Sequence, residues 1–163
     1  AHTIAAHGLS RVAVVDFDVH HGNGTQDIFW SDPRVLYASS HQSPLYPGTG
    51  ARAETGAGNI VNAPLRPGAG SAEFRAAYED VVLPAIDRFA PELVLISAGF
   101  DAHRLDPLAN LNLVDEDYAW ITTRLVDIAD RHANGRVVSS LEGGYSLTAL
   151  RESVAAHVAA LAG

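Results

Sequence analysis

The sequence contains no cysteine and no methionine, and all eleven of its basic residues are arginine. Without thiols there can be no disulfide framework and no thiolate metal site, so any metal must be held by His, Asp or Glu. The missing cysteines also fit a reducing compartment, and a cytoplasmic location is the expectation. Long hydrophobic runs are missing as well: VAVV and LVLI fall far short of a bilayer span, and no charged start followed by an apolar stretch reads as a signal peptide. The arginines are scattered and the net charge is −8 at pH 7. That excludes the basic face needed to grip nucleic acid phosphates and argues against binding an anionic membrane surface. No methionine opens the chain. AHTIAAHGLS reads as the tail of an Ala-rich helix closed by Gly8, so a chain cut from something longer is expected.

What is present reads as one globular domain. The 163 residues are 47% hydrophobic and 18% charged, a balance that supports a core and excludes a disordered chain. Short β-branched runs alternate with helical stretches. Strands are expected at Arg11–Phe17, Val35–Ser39, Asn59–Asn62, Leu93–Ser97 and Arg136–Leu141, as near-continuous apolar runs suited to strands covered on both faces. Helices are expected at Thr25–Trp30, Ser71–Ala90, Asp115–Ala133 and Ser146–Ala162, with Ser71 and Ser146 as N-caps and Pro84 kinking or splitting the second. The alternation predicts an α/β fold of three layers around a mainly parallel sheet. Two long loops, Ser40–Gly58 and Phe100–Val114, follow strands and so belong at the carboxyl edge, where α/β proteins build sites.

Three strand exits carry chemistry. In RVAVVDFDVHHGNGTQ, alternation in an extended chain turns Asp16, Asp18 and His20 to one side and Phe17 and Val19 to the other. Buried acids need a cation or several donors. A divalent metal is one reading; acids capping loop amides beside a satisfied histidine is the other. In LVLISAGFDAHRLDP the pattern repeats, placing Asp101 and His103 after an apolar strand. Two neighbouring parallel strands would bring Asp18, His20 and Asp101 together as three N,O ligands with a fourth position open, the arrangement of a catalytic zinc. His103 is left as a ligand, a supporting group or a solvated side chain. In RVVSSLEGGYSLTAL, Gly143 and Gly144 permit close backbone approach to a ligand, and Tyr145 either faces that ligand or anchors the next helix. SPLYPGTG offers Tyr46 in a rigid loop suited to a channel wall. No GxSxG elbow or Walker A motif is present.

Taken in order, DFDVHHGNGTQ, YPGTG, SAGFDAHRLDPL and LEGGY closely resemble the zinc-dependent histone deacetylase family. The nearest group is the class II-like one, with the bacterial deacetylase-like amidohydrolases and acetylpolyamine amidohydrolases. The resemblance covers nearly the whole chain and implies an arginase/deacetylase fold, here the C-terminal portion of a single domain. It implies zinc on Asp18, His20 and Asp101, with Tyr145 polarising the acetyl carbonyl. It also implies a structural potassium ion at Asp16, Asp18 and Ser39, and a channel for an acyl-lysine or acylamine lined by Tyr46, Leu108 and Gly143. The implied chemistry is metal-assisted amide hydrolysis, in which zinc lowers the pKa of bound water to roughly 7 and Tyr145 steadies the oxyanion.

One part of the family pattern is absent: a tandem His pair acting as general base and acid. His20–His21 is not that pair, because His20 is committed to the metal, so the isolated chain is expected to be poorly active. Leu105 and Ala109 stand where this group often has glycine. A two-manganese ureohydrolase of the arginase type would need further bridging carboxylates, where this chain has Gly22 and His103. A non-catalytic module binding acyl-lysine or a partner is the remaining alternative.

Overall fold

The computed structural model describes residues 1–163. Five strands form one parallel sheet: β1 (Val12–Asp16), β2 (Val35–Gln42), β3 (Ile60–Leu65), β4 (Leu93–Ala98) and β5 (Val137–Leu141), in the order β3-β2-β1-β4-β5. β1 is central, pairing Asp16 with Ser39 of β2 on one side and with Ser97 of β4 on the other. The carboxyl ends of β1 and β4 therefore open side by side, as parallel strands require. No helix is long and apolar enough to cross a membrane.

The helices are α1 (His2–His7), α2 (Asn23–Phe29), α3 (Ser71–Ala77), α4 (Leu83–Phe89), α5 (Asp115–His132) and α6 (Leu147–Ala162). Gly8 ends α1 with a φ of 67°, the left-handed conformation that glycine adopts without steric penalty. The long helix expected from Ser71 to Ala90 is continuous but not uniform. A π-type turn, Tyr78–Val82, joins α3 to α4, and the Leu83 N–H reaches back to the Tyr78 carbonyl. Pro84, which has no N–H and crowds the preceding turn, is thereby seated at the start of α4 instead of inside an unbroken α-helix. Ser71 is not the cap: Gly70 holds that position, the Glu73 carboxylate accepts its N–H at 3.0 Å, and the Ser71 hydroxyl donates to Asp117 at 2.6 Å. Ser146 does cap α6, accepting the Ala149 N–H at 3.5 Å.

The two faces of the sheet are covered unequally. The main core, 27 buried residues, lies between one face and α3 to α6. On the opposite face Val14, Val35, Tyr37 and Ile60 form a small cluster closed by Ile4 of α1 and Phe29 of α2. β5 departs from the expectation of strands covered on both faces. Val138, in register with Leu95, is 56% exposed, and Ser140 beside it is exposed too. Under the exits of β1 and β4 the core is aromatic: Phe17, Phe100 and Tyr118 pack with ring centroids 5.0 to 6.0 Å apart. Each of Phe17 and Phe100 precedes an acid, Asp18 and Asp101, so this fully buried aromatic packing sits beneath the candidate site. Removing either ring would cost about 3–5 kcal/mol in a core of this kind.

Candidate metal centre

Asp18 and His20 leave β1, Asp101 leaves β4, and one ligand atom from each lies within 4.8 Å of the others. His20 Nδ1 stands 3.0 Å from Asp18 Oδ1 and 3.2 Å from Asp101 Oδ2. Backbone donors hold the outer oxygens. Asp18 Oδ1 accepts the His20 N–H at 2.8 Å, Asp18 Oδ2 the Gly143 N–H at 2.8 Å, and Asp101 Oδ1 the Val19 N–H at 2.9 Å. Asp101 Oδ2 is buried and receives no hydrogen bond. A buried carboxylate oxygen left without a donor is costly unless a cation faces it. Burial, and then the Asp18 charge, push the Asp101 carboxyl well above the usual carboxylate range. One imidazole and two carboxylates, one of them with an orphaned oxygen, fit a divalent ion of the zinc type.

Two glycines make the room. A Cβ built on Gly99 would overlap Asp18 Oδ2, and one on Gly143 would overlap Asp101 Oδ2. Neither glycine has a positive φ; the constraint is space, not dihedral freedom. The cluster opens into a cavity of 470 Å³ whose lining includes Asp18, His20, Gly143 and Tyr145. Tyr145 is 56% exposed there. Tyr46 and Leu108 are also exposed and do not line this cavity. A larger cavity, 610 Å³ between Arg52, Pro67 and α3, contains none of these groups.

Asp16 stays outside the cluster although it shares the strand. Its Oδ1 accepts the Asp18 N–H at 3.1 Å and its Oδ2 the Tyr37 hydroxyl at 2.9 Å. Burial pushes its carboxyl up to about 8. Ser39, its partner in register, contacts His41 Nδ1 at 2.9 Å, while His41 Nε2 faces the Gly50 carbonyl at 3.0 Å. A carbonyl only accepts, so the His41 proton is on Nε2 and the Ser39 hydroxyl is the donor to Nδ1. Desolvation pushes His41 down to about 4, which keeps it neutral.

His21, to which the sequence gives no role, is buried in a polar network. Its Nε2 meets Gln26 Oε1 at 3.0 Å and its Nδ1 meets the Thr49 hydroxyl at 2.7 Å. Gln26 in turn donates to Glu54 at 2.6 Å and accepts from Asn62 at 2.8 Å. The network clamps the loop after β2 against the exit of β1. His103 is buried away from the cluster, accepting the Leu105 N–H at 3.1 Å and lying 3.7 Å from Asp115. Leu105 has no positive φ, so the loop does not need glycine at that position.

A family model described as the histone deacetylase domain matches residues 1–161. The chain is 46% identical over 153 residues to "Histone deacetylase 10, chloroplastic" of Oryza sativa subsp. japonica, covering 91% of this chain and 34% of that protein. It is 45% identical over 147 residues to "Histone deacetylase-like amidohydrolase" of Pseudomonas aeruginosa, covering 87% of this chain and 39% of that protein. The solved HDA15 HD domain superposes with a TM-score of 0.90 at 41% identity, over 96% of this chain and 45% of that one. The chain belongs to the histone deacetylase family, and its parallel sheet has the arginase/deacetylase fold. It spans less than half the length of these relatives.

Proposed function

We propose that this chain forms the metal-binding and carbonyl-polarising part of an amide hydrolase that removes acetyl or other acyl groups from lysine side chains or acetylated amines. The observation that carries the reading is Asp101 Oδ2: buried, without a donor, and facing His20 and Asp18, which line a cavity together with Tyr145. Asp18, His20 and Asp101 hold one zinc ion, which when bound supplies Lewis acidity and an activated water. The chain's own groups do the rest. Backbone amides of His20, Gly143 and Val19 fix the ligand oxygens. Tyr145 presents its hydroxyl to the substrate carbonyl and donates to the oxygen as charge develops there. Calorimetric titration with zinc tests the reading: one ion per chain is expected, and two manganese ions per chain would favour a ureohydrolase instead.

Asp16 and Ser39, with Asp18, bind a structural potassium ion in this reading. Its support is the buried Asp16 carboxyl, paired in register with the fully buried Ser39. A thermal midpoint that rises with added potassium more than with added lithium is the expected result.

The chain is proposed to be the C-terminal portion of a deacetylase domain. Two observations favour weak turnover by the chain alone. The only tandem histidines are His20–His21, and the second is held by Gln26 and Thr49. The isolated chain therefore binds zinc and acylated amines but hydrolyses them slowly, as a binding module would. Rapid release of acetate from an acetyl-lysine peptide by the 163-residue chain would overturn that statement.

A further inference from the structure

Tyr145 sits on the short connector between β5 and α6. Glu142–Ser146 has no regular structure, Gly144 adopts a φ of 141°, and the side chain is 56% exposed. Gly143 is anchored on both sides, its N–H on Asp18 and its carbonyl on the Phe100 N–H at 2.7 Å. Beyond Gly144, Tyr145 has one backbone tie: its N–H donates to Asp106 Oδ2 at 2.7 Å.

Asp106 is built for that task. It is 7% exposed, and its other oxygen accepts the Leu108 N–H at 3.0 Å, so a single carboxyl group bridges the loop after β4 and the loop after β5. The platform beneath it is rigid. The Asp106 N–H donates to the His103 carbonyl at 2.8 Å, and the loop is stitched to its own far end by Arg104 to Leu113 at 3.0 Å and Leu113 to Ala102 at 3.1 Å. Pro107 follows and disfavours helical backbone at Asp106.

We propose that Asp106 is a positioning residue for Tyr145, tying the tyrosine and the Leu108 segment into one unit through its two carboxyl oxygens. What the tyrosine does rests on the amide-hydrolase reading; where it is held rests on the hydrogen bonds alone. Without the bridge, rotation about Gly144 carries the hydroxyl away from the cavity while the metal ligands stay in place.

The test has two arms on the full 163-residue chain. Amide hydrogen exchange reads the tie directly: Asp106→Ala is expected to speed exchange at Tyr145 and Leu108 about tenfold or more, with β4 amides unchanged. Asp106→Asn keeps the shape and one acceptor oxygen, guards against a folding defect, and is expected to release at least one of the two amides. The second arm measures affinity of the zinc-loaded chain for acetohydroxamate, a zinc chelator carrying the acetyl group. Asp106→Ala and Tyr145→Phe should each weaken it about tenfold, and the double variant should be no weaker than Tyr145→Phe alone. Unchanged exchange at Tyr145 in both Asp106 variants, or losses that multiply in the double variant, overturns the proposal. If the unmodified zinc-loaded chain does not bind acetohydroxamate, the amide-hydrolase reading fails, and exchange at Tyr145 still decides whether Asp106 holds it.

Discussion

The exits of β1 and β4 differ from the exit of β5 in how they hold a functional side chain. At the first two, Asp18 and Asp101 are buried above an aromatic floor, and three of their four carboxyl oxygens accept backbone N–H groups. At the third, Tyr145 hangs from a glycine pair and is more than half exposed. A metal ligand must be in place before the metal arrives, because the ion gains most from donors that need no rearrangement. A group that meets a substrate must let the substrate in. The same sheet edge therefore carries a rigid part and a hinged part.

Breaking the rigid part should have the largest effect. Asp101→Ala removes the ligand with the orphaned oxygen, and zinc affinity should fall by more than the roughly 10–100-fold that changes around a ligand produce. Titration calorimetry against a chelator measures it, and retention of affinity would mean that Asp101 is not a ligand. Gly143→Ala attacks the junction of the two parts, since its Cβ would meet Asp18 Oδ2 at 2.7 Å and overlap Asp101 Oδ2. Overpacking of this sort costs about 1–3 kcal/mol, seen in denaturant unfolding, and should weaken zinc binding too. Gly24→Ala, with open space around it, serves as the control and should lose neither stability nor zinc affinity.

A smaller effect sharpens the comparison from beneath β5. Ser139 of β5 contacts His157 Nε2 at 2.8 Å, and the Thr122 hydroxyl contacts Nδ1 at 2.6 Å while donating to the Tyr118 carbonyl. The His157 proton is thus on Nδ1, and burial pushes the imidazole's pKa below the usual 6.5. The unfolded chain takes up a proton at 6.5 while the folded chain resists. Stability is therefore full above that pH and declines as pH falls toward the lowered folded value. Thermal midpoints at about pH 7 and about pH 5 should separate further in the native chain than in His157→Gln. Equal separations would show that His157 is not the group that titrates. The smallest change is Ser146→Ala. The cap bond is long at 3.5 Å, so a loss near 0.5 kcal/mol, the low end for caps, is expected by chemical denaturation.

The rigid part was also the more legible one in the sequence. Apolar runs ending in Asp-x-His and in Gly-Phe-Asp mark β1 and β4, and strand alternation separates Asp18 and His20 from Phe17 and Val19. These signals are local, and parallel pairing brings the two exits together. What stayed hidden depends on partners far along the chain. The need for Gly99 and Gly143 comes from carboxylates on other strands. Ser71 looks like a cap until Asp117 of α5 takes its hydroxyl. Asp106 passes for a loop acid until Tyr145 arrives from 39 residues away. Pro84 announces a break, but its resolution as a π-type turn depends on the packing of Tyr78 and Val82 in the core.

The half-bare β5 has a practical consequence. It lies at the end of the sheet, so one edge offers unpaired N–H and C=O groups, and Val138 and Leu141 stand exposed at 56% and 61%. An apolar strand with a free edge is a template for another strand, and chains that carry one tend to stick to each other as concentration rises. In preparations of these 163 residues alone, Val138→Lys is expected to raise the concentration at which the chain stays monomeric, as read by light scattering.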